Sequence, residues 1–343
     1  MNIHVAILGS TGYTGAELIR LIENHPYLEV THVGAHSQAG KKVRDVLPGI
    51  TGHVGDLTLA KADAALADDV QLVLTALPHG AAAEPVKKAL DAGKKVVDLS
   101  ADFRHQSPDI YQQAYGLEHP HPHLLKHAVY GLSEWARTDI AQANLVANPG
   151  CYPTSTLLPL IPLLKAKLLD DSSIIVDSKS GTSGAGRTAK TGLLYCEVNE
   201  GLSAYGLPRH RHAWEMEEWA ENFGHQSIKV RFVPHLIPMS RGMLTTLHLT
   251  GKHTETWHQT LLQAYQNEPF VRVLPEGKLP STKGVSGSNR CDIGICRLSD
   301  TEAVVVSCID NLLKGASGQA IQNANIMLGL DEGMGLSIHA QWP

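Results

Sequence analysis

At 343 residues the chain is longer than one hydrophobic core usually serves and is comfortable for two domains. Hydrophobic residues make up 43% and charged residues 18%, and no apolar run is long enough for a bilayer, so a globular protein with no membrane span is expected. A net charge of -5 without a basic block argues against a nucleic-acid partner and for a small-molecule one. The odd set Cys151, Cys196, Cys291, Cys296 and Cys308 suggests a reducing compartment rather than a disulfide framework.

The opening MNIHVAILGS has neither a basic n-region nor a small-residue cleavage site, so it reads as a first strand and the expected location is cytoplasmic. Strand-like runs HVAILG, EVTHVGAH, QLVLTAL and KVVDLS then alternate with helices over about Ala16–Asn24 and Val86–Ala92, the βαβ pattern of a doubly wound parallel sheet. At the first strand-to-helix junction stand Gly9, Ser10, Thr11, Gly12, Tyr13, Thr14 and Gly15. Small residues there leave backbone N–H groups open to a pyrophosphate, although the G-x-x-G-x-x-G spacing alone would also suit a tight turn with no ligand. The second strand ends in His36-Ser37-Gln38-Ala39-Gly40-Lys41 with no carboxylate. Ser37, with Lys41 or Lys42 to supply charge, could therefore take a 2′-phosphate, which an acidic residue would repel, and NADP is expected over NAD, although the same residues would suit a solvated basic loop.

Asp98–Arg104 closes another strand, and its Arg104 could grip a phosphate with a fork of donors, or simply be solvated. Segment 104–127, rich in His, Pro, Gln and Tyr, reads as a long irregular excursion. The prolines in His119-Pro120-His121-Pro122-His123 and the lack of a ligand set with recognisable spacing argue against a metal there. After the strand LVA, Asn148-Pro149-Gly150-Cys151 leads into an apolar helix over Ser155–Leu169. Cys151 is thereby placed near a helix N-terminus, where a thiolate is favoured, although Pro159 and Pro162 suggest a helix that is bent or begins late.

Beyond residue 173 the runs SSIIVDSKS, IKVRFVPHL, MLTTLHLTG and AVVVSCIDN are β-rich, with a helix near Trp257–Gln266, so an α+β second domain is expected. Ser180, Gly181 and the residues to Arg187 form a small-residue loop able to approach a flat ring or an anion, or merely to connect. His210-Arg211-His212, followed by Glu215, offers a thiol its base, two positive charges and a carboxylate, or else an exposed turn opening a helix over Ala213–Asn222. The stretch 312–330 is helical in pattern and can return to the first domain.

With GSTGYTGAEL, ANPGCYPT, SGTSGAGR, HRHAWE, FVPHLIPMSRGML, NRCDIG and IDNLLKGASGQAIQNANIMLGLDEGMGL in this order, the chain resembles the N-acetyl-γ-glutamyl-phosphate reductase family of arginine biosynthesis nearly end to end. The resemblance implies an α/β protein: a Rossmann domain over 1–148, completed by 315–343, and an inserted α+β catalytic domain over 149–314, assembled as a homo-dimer or homo-tetramer. It further implies NADPH-dependent reduction of an acyl phosphate through a Cys151 thioester, with His210 as acid/base and His212, Glu215 and Asn148 in support. Asn311 and Gly315 would line the cofactor region and Gln319 would lie near the substrate with Arg104 and Arg187. Rival readings are a related aminoadipyl or aspartyl phosphate reductase, a non-catalytic dinucleotide sensor and a cysteine hydrolase.

Overall fold

The computed structural model describes residues 2–61, 67–170 and 173–342; the first residue of the SSIIVDSKS expectation, Ser172, lies outside them. The chain divides into two compact units. One comprises residues up to Pro149 together with Ala316–Leu336, the other Gly150–Gly315 together with the residues from Ser337 onward. The part of the expected 315–343 segment that groups with the first unit is Ala316–Leu336.

The first unit is built on six strands: β1 (Ile3–Leu8), β2 (Leu28–Gly34), β3 (Leu72–Thr75), β4 (Lys95–Asp98), β5 (Val129–Tyr130) and β6 (Leu145–Ala147). They lie in the order β2-β1-β3-β4-β6-β5, every pair parallel. Runs such as VLT and KVVD are apolar on both faces because helices cover both sides of such a sheet. The strand order reverses direction between β1 and β3, and the crevice beyond the carboxyl ends of those two strands is where an open α/β sheet binds ligands. The helix Gly318–Met327 is buried along its whole length and packs in this unit on the helices Tyr13–Ile22 and Ser133–Gln142. Its polar side chains are used internally. Asn323 donates to the Gly131 carbonyl (2.8 Å) and to Asn148 Oδ1 (3.0 Å), and accepts from the Ser133 hydroxyl (2.7 Å). Segment 104–127 is more regular than expected, containing short helices at Pro108–Tyr115 and Pro122–Leu125, each with a proline in its first turn.

The second unit carries β7 (Ile174–Gly181), β8 (Ser203–Ala204), β9 (Val230–Ile237), β10 (Met243–Thr250), β11 (Val271–Val273), β12 (Cys291–Arg297) and β13 (Glu302–Ile309). These form one mixed sheet in the order β11-β12-β13-β10-β7-β9-β8. Helices Cys151–Lys165, His212–Gly224 and Trp257–Tyr265 pack on it and on one another.

The helix after Cys151 corrects the expectation of a late start, for it runs from Cys151 to Lys165 with both prolines inside. A proline removes the N–H that would bond the carbonyl four residues earlier. Here the two orphaned carbonyls find other donors: Ser155 O accepts from the Ser307 hydroxyl and Leu158 O from the Tyr265 hydroxyl. Donors supplied by β13 and by a neighbouring helix thus replace the bonds that Pro159 and Pro162 delete.

Candidate active site

In the first unit, the glycine turn is set by contacts that forbid larger residues. Gly9 has φ +81°, and a Cβ on it would stand 2.3 Å from the Ala76 carbonyl oxygen, just past the end of β3. A Cβ on Gly15 would meet the Gly9 oxygen at 2.4 Å, so the helix could not close onto the turn. Gly12, by contrast, is the N-cap of Tyr13–Ile22, and a Cβ there would meet only the Gly9 oxygen at 3.5 Å. Two glycines thus serve close packing, while the third leaves the helix N-terminus uncovered at the sheet's switch point, a shape and polarity suited to a pyrophosphate. Ser10 is fully buried, and its hydroxyl donates to the Gly34 carbonyl at 3.1 Å, tying the turn to β2. Thr14 accepts the Ser317 hydroxyl on its carbonyl at 3.0 Å. Ser37 and Lys41 flank the turn after β2, both exposed, and among the described residues no carboxylate pairs with Lys41.

Arg104 is 5% exposed, and its Nε and one terminal nitrogen donate to the Asn148 and Leu99 carbonyls at 2.8 and 2.9 Å. It thus straps the end of β4 to the residue before Pro149. Asn148 is wholly buried and donates to the Ala316 carbonyl at 3.2 Å. Nearby, Asp102 caps the helix Ala83–Asp91 by accepting the N–H groups of Gly80, Ala82 and Ala83 at 2.7, 2.9 and 3.2 Å. Asp98, fully buried beside it, is pushed up to about 6 by burial and by the Asp102 charge. Gln319 is also fully buried in this unit.

In the second unit, Cys151 is the first residue of its helix and is half-buried. The N–H of Gly150, the N-cap, donates to Glu215 Oε1 at 2.8 Å. The fully buried Glu215 therefore fixes the turn that presents the thiol. Gly315 closes the other side, for a Cβ on it would lie 2.7 Å from Cys151 Cβ. It belongs to a π-helical turn, Leu313–Ser317, in which its N–H reaches back to the Asp310 carbonyl at 3.0 Å. Such wide turns recur at functional sites.

His210 is 6% exposed and packs against Tyr152, Tyr205, His212 and Phe232. Its Nδ1 accepts the backbone N–H of His212 at 3.1 Å. The proton of the neutral ring therefore resides on Nε2, and burial first, then the Arg211 charge, lowers its pKa to about 4. At neutral pH this histidine is an uncharged N–H donor. The hydroxyls of Tyr152 and Tyr205 are 2.8 Å apart, and both resist ionisation, first through burial and further through the nearby Cys151 charge. Gly206 is obligatory here: φ is +69°, and a Cβ would stand 2.7 Å from His210 Cδ2.

The structure thus brings Cys151, His210, His212, Glu215 and Gly315 into one cluster of the second unit. Asn311 joins its loops, its Oδ1 accepting from the Gly242 N–H at 2.7 Å and its Nδ2 donating to Ser183 Oγ at 2.9 Å. Ser180 lies within hydrogen-bonding reach of Tyr152, and Gly181 is held so close to the Ser240 carbonyl that a Cβ would stand 2.8 Å from it. Arg187 is exposed beyond this loop. Tyr205 and Gly206 are absent from the residues singled out in the sequence, although Tyr-Gly-x-Pro, one residue ahead of His-Arg-His, is a turn signal beside a candidate base.

Two family models cover this chain: the semialdehyde dehydrogenase NAD binding domain over residues 4–143 and the semialdehyde dehydrogenase dimerisation domain over 151–311. The chain belongs to the semialdehyde dehydrogenase family. Within the family it is 50% identical to an N-acetyl-gamma-glutamyl-phosphate reductase of Citrifermentans bemidjiense, across 99% of this chain and 100% of that protein. It is 46% identical to a probable chloroplastic N-acetyl-gamma-glutamyl-phosphate reductase of Arabidopsis thaliana, across 98% of this chain and 84% of that one. Among solved semialdehyde dehydrogenase structures, aspartate semialdehyde dehydrogenase II of Vibrio cholerae superposes with a TM-score of 0.73 at 16% identity, covering 96% of this chain and 99% of that one. The Candida albicans aspartate semialdehyde dehydrogenase with NADP gives 0.69 at 18%, covering 95% and 98%. These two likenesses concern the fold. Among the described residues no helix is long and apolar enough to cross a membrane, and no cluster of metal-ligating side chains occurs.

Proposed function

We propose that this semialdehyde dehydrogenase family member carries out the reaction named for its relatives, reducing N-acetyl-γ-glutamyl phosphate to the semialdehyde and phosphate with NADPH, as a homo-dimer or homo-tetramer. The observation that carries the reading is Cys151 at the start of a fifteen-residue helix, gathered with the buried, neutral His210 around one tyrosine pair. The uncovered N-terminus at Gly12 suits the dinucleotide pyrophosphate, and Ser37 with Lys41 suits a 2′-phosphate. When bound, NADPH supplies the hydride.

The protein's own residues supply the rest. The helix N-terminus favours the Cys151 thiolate, which attacks the acyl carbon and displaces phosphate, leaving a thioester. With its proton on Nε2, His210 donates a hydrogen bond to the carbonyl oxygen as negative charge builds there, and a hydrogen bond from a neutral ring stabilises that oxygen without placing an imidazolium in a buried site. Glu215 holds the Gly150 amide, and Gly315 holds the cysteine from the other side. The purified protein should turn over N-acetylglutamyl phosphate faster than aspartyl or aminoadipyl phosphate, and faster with NADPH than NADH. Preference for another acyl phosphate would refute the substrate, and full turnover by Cys151→Ala would refute the thioester.

A further inference from the structure

Four arginines stand near the sequences that build the catalytic cluster, and their engagements differ. Arg209 pairs with Glu217 at 2.6 Å and lies over the Trp214 ring. Arg241 faces Asp310 at 3.6 Å. Arg187 is exposed. Arg211 has no carboxylate partner among the described residues, and its Nε is buried without a hydrogen-bond partner. An N–H sealed from water and left unbonded is costly, and the cost is recovered when an acceptor arrives.

We propose that Arg211 binds the phosphoryl group that Cys151 displaces. Its residue is the N-cap of the helix His212–Gly224, whose N-terminus also favours an anion nearby. Arg211 follows His210 in the chain, and the His210 ring packs 5.9 Å from that of Tyr152, the residue next to Cys151, and 5.7 Å from that of Tyr205. The leaving phosphate is joined through one oxygen to the carbon the sulfur attacks, so its site must lie beside the thiol, in the cluster that His210 and Tyr152 share. A planar fork of donors fits phosphate oxygens. In the step served, the carbon–sulfur bond forms as the carbon–oxygen bond to phosphorus breaks. The electron pair leaves on the phosphate oxygen, and the thiol's proton ends on the phosphate.

This assignment rests on the thioester reading, and the reverse reaction separates the two. Mixing unmodified enzyme with semialdehyde and NADP+ but no phosphate should give a burst of about one NADPH per site as the thioester forms. Inorganic phosphate then releases the acyl group and permits turnover. In Arg211→Gln the burst should persist, which also shows the variant to be folded, while the KM for inorganic phosphate rises tenfold to a hundredfold. Arg211→Lys should fall between. An unchanged phosphate KM, a raised semialdehyde KM in its place, or a lost burst in Arg211→Gln overturns the assignment. No burst in the unmodified enzyme overturns the thioester reading beneath it.

Discussion

Replacing Gly315 by alanine tests whether the placement of Cys151 matters to within an ångström. The added methyl would stand 2.7 Å from Cys151 Cβ, 3.3 Å from its Cα and 3.2 Å from Ile309 Cδ1. Ordinary carbon contacts begin near 3.4 Å, so the two Cβ atoms must part by about 0.7 Å, and Cys151 cannot yield freely because Glu215 grips the preceding amide. Overpacking of this kind costs roughly 1–3 kcal/mol of stability, whereas misplacing a reacting atom by about 1 Å costs on the order of a hundredfold in rate. Gly315→Ala should therefore lower kcat/KM by ten- to a hundredfold while Tm falls only a few degrees and NADP+ affinity, measured by calorimetry, stays within about twofold. Gly192→Ala, where nothing lies within 4 Å, is the matched control. Wild-type kcat/KM in Gly315→Ala would refute the reasoning.

Cys151→Ala should abolish reduction yet retain NADP+ binding, a comparison made by activity and fluorescence titration. Iodoacetamide labelling must be read in a Cys196→Ser background, since Cys196 is itself exposed. His210→Asn should reduce turnover by roughly a hundredfold or more. His212→Asn should do less, because the backbone N–H that orients His210 survives the change; steady-state kinetics showing the reverse order would exchange their roles. Ser37→Asp should raise the KM for NADPH far more than that for NADH, and equal effects would remove Ser37 from the 2′-phosphate site.

The alternation of apolar strands and amphipathic helices made the first sheet legible, and the glycine turn was legible because only Gly9 and Gly15 tolerate its close contacts. Helix limits shifted by a few residues, as with Tyr13–Ile22 against the expected Ala16–Asn24. Less could be read where the deciding partner lies far along the chain. Local propensity breaks the helix at Pro159 and Pro162, and only tertiary contacts bring Ser307 and Tyr265 to the carbonyls those prolines orphan. Strand β12 was seen only as a motif, and the helix Ser133–Gln142 was not anticipated. Arg104 and Arg211 look alike in sequence. Burial alone reveals that Arg104 donates to backbone carbonyls while Arg211 keeps an unbonded N–H beside His210.

Two buried groups should give the units opposite responses to acid. His210, in the second unit, titrates near 4 when folded against 6.5 when free. Between those values the unfolded chain binds more protons, so this contribution is complete above about pH 6.5 and is lost as pH falls toward 4. Its size is about 3 kcal/mol, at 1.36 kcal/mol per pH unit. Asp98, in the first unit, titrates near 6 when folded against 3.8 when free, so there the folded state binds more protons and stability is lost as pH rises through the same range, again by about 3 kcal/mol. The lowered His25 and His119 oppose Asp98 within its own unit, which makes differences between variants the cleaner measurement. The stability of His210→Asn relative to the unmodified protein, read from hydrogen-exchange protection in the second unit, should improve on going from pH 7 to pH 4. That of Asp98→Asn, read in the first unit, should worsen. If both differences move in the same direction, the inference that burial holds His210 neutral and raises Asp98 fails.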